Sequence, residues 1–129
     1  MGAWQTPIRC YCSPGGGNRN KIADWYADLS KPERADADAF LSNMRKMKDW
    51  QMPHYRPHLK GLKGIGELRW FSQDKQHRLL GFFREGVWYA LVGCTHKQKI
   101  YDPPDAFRTA KKNKEQIETR EATTTEYDL

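Results

Sequence analysis

No run of apolar residues in this chain approaches the ~18 that a membrane-spanning helix requires, so a membrane span is not expected. No charged-then-apolar leader opens the sequence, which makes export unexpected and the cytoplasm the expected location. Cysteine is scarce. The three residues Cys10, Cys12 and Cys94 make an odd count, and the first two stand too close for an easy intrachain bridge. A disulfide framework is thereby disfavoured, and a reducing compartment fits. There is no internal repeat, and "GGGNRNK" (15–21) lacks the spacing of a phosphate-binding loop. Acidic residues are few where basic ones gather. Residues 1–44 carry five charges of each sign, residues 45–114 sixteen positive against six negative, and residues 115–129 one positive against five negative. A middle segment of net +10 favours an acidic partner, either nucleic acid or an acidic protein.

What is present suits one domain. The 129 residues, 38% hydrophobic and 12% aromatic, suffice for a single core. "PIRCYCS" (7–13) alternates as a strand, and "PGGGN" (14–18) breaks it. Ile22, Trp25, Tyr26 and Leu29 recur at helical spacing behind Asn20, a plausible cap. Ser30 and Glu33 have capping-box spacing with Pro32 between them, predicting a second helix over 31–49. "QMPHYRPHLKGLKG" (51–64) is a loop with a short strand near Leu59–Leu62. "IGELRWF", "HRLLGFF" and "VWYALVGCTH" then read as strands joined by polar turns at 72–76 and 84–86. Asp102, Pro103 and Pro104 stop the sheet, and Asp105 opens a last helix whose apolar contacts are Phe107, Ala110 and Ile117. The expected architecture is α+β in two layers. An antiparallel sheet of four or five strands packs on two N-terminal helices, with a C-terminal helix added. Residues 1–118 form the domain, and 119–129 a flexible tail.

Alternation in "GELRW" puts Leu68 and Trp70 toward the helices and Glu67 and Arg69 on the open face. Arg78 leads the next strand, and His96, Lys97 and Lys99 end the last one. If these converge, they make a cationic groove with an imidazole at its rim. Glu67 could instead pair with one of the arginines. His54, Tyr55 and Arg56 form a basic, aromatic loop suited to RNA stacking and phosphate contact. Cys10 and Cys12 share a strand face, as do Cys94 and His96; neighbouring first and last strands would bring four zinc-type ligands near one another. Two-residue spacing along a strand sets ligands far apart, so buried apolar cysteines are the expectation and no metal is assigned.

"LKGLKGIGELRW", "HRLLGFFREGVWYALVGCTHKQK" and "PPDAFRTAKKNKEQIE" resemble the RelE/HigB-like toxin superfamily, and more closely its phage-derived, HigB-type branch. "YCSPGGGNRNKIADWYADL" resembles that branch's first strand, turn and helix, so the likeness covers roughly residues 7–118. Cys94 stands where an aromatic is common, and His96 opens the lysine cluster. The resemblance implies a RelE-like fold and the toxin of a toxin–antitoxin pair, a ribosome-dependent mRNA endoribonuclease needing no metal or other cofactor. Its implied partner is an acidic antitoxin. The implied roles are phosphate and transition-state stabilisation by Arg69 and Arg78, proton transfer by His96, and RNA binding by Lys97, Lys99, Tyr101, His54, Tyr55 and Arg56. The alternative is a phage-derived module of the same fold that binds RNA or protein without cutting.

Overall fold

The computed structural model describes residues 5–15, 17–97 and 100–128; the side chains of His96, Lys97 and Ile100 lie outside that description. Strand β1 (Ile8–Ser13) leads through β2 (Arg19–Asn20) into helix α1 (Lys21–Ala27). Asn20 caps α1, its side-chain oxygen accepting from the N–H groups of Ile22 and Ala23 at 3.0 Å each. Helix α2 (Lys31–Arg45) begins with the complete Ser30–Glu33 capping box and Pro32 in its first turn. It ends before the expected residue 49 because the chain turns to bury Trp50, whose Nε1–H donates to the Met44 carbonyl at 2.8 Å.

The remaining elements are β3 (Tyr55–Arg56), β4 (Gly66–Ser72), β5 (Lys75–Arg84), β6 (Val87–Lys97), β7 (Ile100–Asp102), α3 (Ala106–Glu118) and β8 (Thr123–Glu126). Two-residue turns close the two hairpins. Gln73 and Asp74 (φ 53° and 62°) join β4 to β5, and Glu85 and Gly86 (φ 53° and 79°) join β5 to β6. Positive φ at both turn residues matches the strand twist, so the strands run on further than the polar segments suggest. The sheet order is β2-β1-β6-β5-β4-β3, with β7 beside β6 and β8 beside β1. The expected four or five antiparallel strands are thus corrected to eight among the described residues, with β1 parallel to β6. The extra strands have two to four residues, too few to display a period.

The two-layer expectation is corrected as well. Helices α1 and α2 cover one face through Ile22, Ala37, Leu41 and Met44, which pack with Ile8, Cys10, Leu68, Trp70, Leu79 and Trp88. Helix α3 covers part of the other face, where Ala106, Ala110 and Ile117 pack with Leu80, Phe82, Val92 and Cys94. Both sides of β5 are apolar, so both need a cover. On the first face Trp25 lies against Gly93, where a Cβ would come within 2.2 Å of the indole. Trp70 stacks between Phe40 (4.8 Å) and the buried His77 (5.8 Å). His77 Nε2 stands 3.0 Å from the Glu33 carboxylate.

The expected flexible tail from residue 119 is instead built into the sheet. Strand β8 pairs with β1 from Arg9↔Glu126 to Cys12↔Thr123. Ala122 and Tyr127 are buried, and the Tyr127 hydroxyl donates to Asp38 at 2.8 Å. A threonine run looks solvated in sequence, yet threonine suits a strand once a partner edge exists. Among the described residues no helix is long and apolar enough to cross a membrane.

Candidate nucleic-acid interface

Register decides which side chains share the α3 face. Across β4, β5 and β6, Arg69 stands opposite Arg78 and Arg78 opposite Cys94. One row toward the hairpin end, Phe71 stands opposite Gln76, Gln76 opposite His96, and His96 opposite Tyr101 of β7. One row the other way, Arg56 of β3 stands opposite Glu67, and Glu67 opposite Leu80. Period-two alternation then sets Arg56, Glu67, Arg69, Phe71, Gln76 and Arg78 on one surface. Arg69 and Arg78 do share a face, as a groove requires.

Their environments differ. Arg78 is 6% exposed and Glu67 is fully buried, and the two form an ion pair through Arg78 Nη1. Arg78 Nη2 donates to Gln76 Oε1 at 2.9 Å, and Nη1 also reaches the Tyr101 hydroxyl at 3.2 Å. That hydroxyl donates to the second Glu67 oxygen at 3.3 Å. Burial, together with the Glu67 carboxylate, pushes the Tyr101 pKa up to about 12. The Arg78 guanidinium also lies 5.3 Å over the Tyr101 ring. Arg78 is therefore not the open groove cation that the sequence suggests. Glu67 takes its charge because two strand neighbours with complementary charge bury together at lower cost than either alone.

Arg69 stays at the surface. Its Nε donates to the Pro53 carbonyl at 2.7 Å, and its backbone N–H to the His54 carbonyl at 2.9 Å. The terminal guanidinium nitrogens make no hydrogen bond among the described residues, so the planar fork is open to an anion. Arg69 lines a pocket of about 420 Å³ with Pro53, His54, Trp70, Phe71 and Gln76. Phe71 is 75% exposed there. His54 sits edge-on to Phe40 at 5.6 Å, exposed at the rim.

The other sequence candidates divide. Tyr55 turns to the opposite face, packing on Trp50 (5.5 Å) and Phe83 (5.9 Å), and burial raises its pKa. Its register partner Leu68 belongs to the α1/α2 core, so Tyr55 lies on the face away from Arg69. Arg56 is half-buried beside Glu67. His96 and Lys97 end β6, opposite Tyr101 and Ile100, and Lys99 lies outside the described residues. The cysteine cluster separates across the sheet: Cys10 faces the α1/α2 core with Cys12 two residues on, whereas Cys94 belongs to the α3 side. Burial pushes the thiols of Cys10 and Cys94 up to about 12, keeping both protonated. Sequence reasoning missed Phe71 and Gln76. A two-residue turn read at Gln73–Asp74 would have extended both strands and set these two opposite one another.

With this geometry in view, a family model described as "Phage derived protein Gp49-like (DUF891)" matches residues 24–121. No curated protein and no solved structure matches the chain.

Proposed function

Because the chain belongs to the Gp49-like phage-derived family, a family of RelE/toxin-like proteins, we propose that it is the toxin of a toxin–antitoxin pair and cleaves mRNA without a metal. The reaction is attack of a 2′-hydroxyl on the adjacent phosphate, which breaks the bond to the next nucleotide's 5′-oxygen and leaves a 2′,3′-cyclic phosphate and a protonated 5′-hydroxyl. It requires a base, an acid and positive charge around the phosphorane. Arg69 holds the non-bridging oxygens through its open fork. Arg78, bound to Glu67, positions Gln76 and Tyr101 rather than touching phosphate. His96 is the proton-transfer candidate, and Lys97 and Lys99 bind the RNA backbone. His54 and Arg56 extend the cationic rim. Such a toxin works in the cytoplasm on ribosome-bound message, and an acidic antitoxin covers the basic middle of the chain.

The observation that carries this reading is the open guanidinium fork of Arg69 on the sheet face that also holds Gln76 and Arg78. Induced expression in a bacterial host tests it, with growth and RNA 5′ ends followed. The expected outcome is growth arrest and new ends for the wild type, both absent in Arg69→Ala. Soluble, antitoxin-free protein that changes neither growth nor RNA ends defeats the enzyme reading.

A second reading draws on the Glu67–Arg78 pair, which removes one cation from the surface. On that reading the chain holds RNA without cutting it. Purified protein added to translating ribosomes discriminates: retained but intact message favours the binder.

A further inference from the structure

Phe71 has no structural reason to be where it is. Burying a phenylalanine contributes about 1.5–3 kcal/mol, yet this ring, at the hairpin end of β4, keeps 75% of its surface in water and joins neither hydrophobic cluster. It is more exposed than Met52 (52%), Met47 (46%) or Phe83 (41%), and Phe83 at least packs on Trp50 at 4.9 Å. Its surroundings are selective. Arg69 lies two residues back on the same face with its fork open, a separation of about 7 Å along a strand. Gln76 is the direct cross-strand partner, and Arg78 engages its Oε1, which leaves the amide N–H groups as donors. Pro53 and His54 wall the pocket.

We infer that Phe71 is the stacking platform for one unpaired base of a single-stranded RNA, with Arg69 on the adjoining phosphate and the Gln76 amide donating to the base edge. This rests on the RNA reading above and deepens it by assigning where a nucleotide sits. A flat apolar face beside a guanidinium suits a nucleotide, which joins a π-face to an anion over a similar span. Duplex RNA is excluded, because its base faces are already stacked. Base choice is broad, since every base offers a π-face and an acceptor.

The test is binding of a short single-stranded oligoribonucleotide carrying 2-aminopurine to the full chain. Phe71→Ala should weaken binding roughly tenfold and abolish the fluorescence quenching, while Phe71→Trp should preserve both. Arg69→Ala should weaken binding and reduce its salt dependence by about one phosphate contact, and the matching duplex should bind poorly. Circular dichroism melts check that each variant is folded. If Phe71→Ala binds like the wild type while Arg69→Ala does not, the platform is wrong and the RNA reading stands. If the wild type binds no single-stranded RNA, both fall. If Phe71→Ala loses only a co-purifying protein, the ring is a protein-docking residue and the inference is overturned.

Discussion

The two faces of the sheet are made from alternate residues of the same strands, and they have opposite characters. On the α1/α2 face, Trp25, Phe40, Trp70, His77 and Trp88 fill the space between helix and sheet. On the α3 face the cover is partial. Helix α3 seals Leu80, Phe82, Val92 and Cys94, and beyond them the surface opens to Arg69, Phe71 and Gln76. The Glu67–Arg78 pair stands at the boundary. One face spends its aromatic residues on stability, and the other leaves an aromatic ring and a guanidinium available. The same strand chemistry therefore produces a core or a site depending on what lies over it.

Four measurements would sharpen or break this contrast. The largest effect belongs to the boundary. Glu67→Ala strands the buried Arg78 charge and should cost about 3–5 kcal/mol in chemical denaturation. The double variant Glu67→Leu/Arg78→Met should recover most of that loss, and failure to recover would mean that the pair does more than neutralise itself. Next, Gly93→Ala drives a methyl into the Trp25 indole and should cost about 1–3 kcal/mol, by the same measurement, if the α1/α2 face is as tightly packed as described.

The third is a pH effect on the sealed face. Burial holds the His77 pKa below its ordinary 6.5. Below that pH the unfolded chain takes up a proton that the folded chain refuses. Stability should then fall by up to about 1.4 kcal/mol per pH unit until the folded pKa is passed. Glu33, with a pKa held below its ordinary 4.5 first by its Ser30 hydrogen bond, adds a further loss only under more acid conditions. Urea midpoints at pH 7.5 and 5.5 should differ in the wild type and draw together in His77→Phe. The smallest effect is on the open face. Phe71→Ala should change the unfolding free energy by no more than about 0.5 kcal/mol and leave the thermal midpoint almost unmoved, and a larger loss would make Phe71 part of the fold.

The sequence was most legible where a local pattern decides structure. Asn20 and the Ser30–Glu33 box announced their helices because capping is satisfied within three residues. Leu68 and Trp70 announced the core side of β4 because alternation is local too. The charge of Arg78 was equally visible, but its fate was not. Whether an arginine stays in water depends on what reaches it across the sheet, here Glu67, Tyr101 and Gln76.

By itself, then, the sequence determined the order of the helices and of the long strands, their apolar faces, and the turn of Arg69 toward the open side of β4. These follow from periods of two and 3.6 residues and from capping, all of them short-range. Only the tertiary structure decided that β1 runs parallel to β6, that residues 123–126 become a strand, and that Arg78 is neutralised while Arg69 and Phe71 remain open. Those outcomes rest on pairings between residues far apart in the chain. Desolvation is set by the whole neighbourhood of a side chain, and no stretch of sequence contains it.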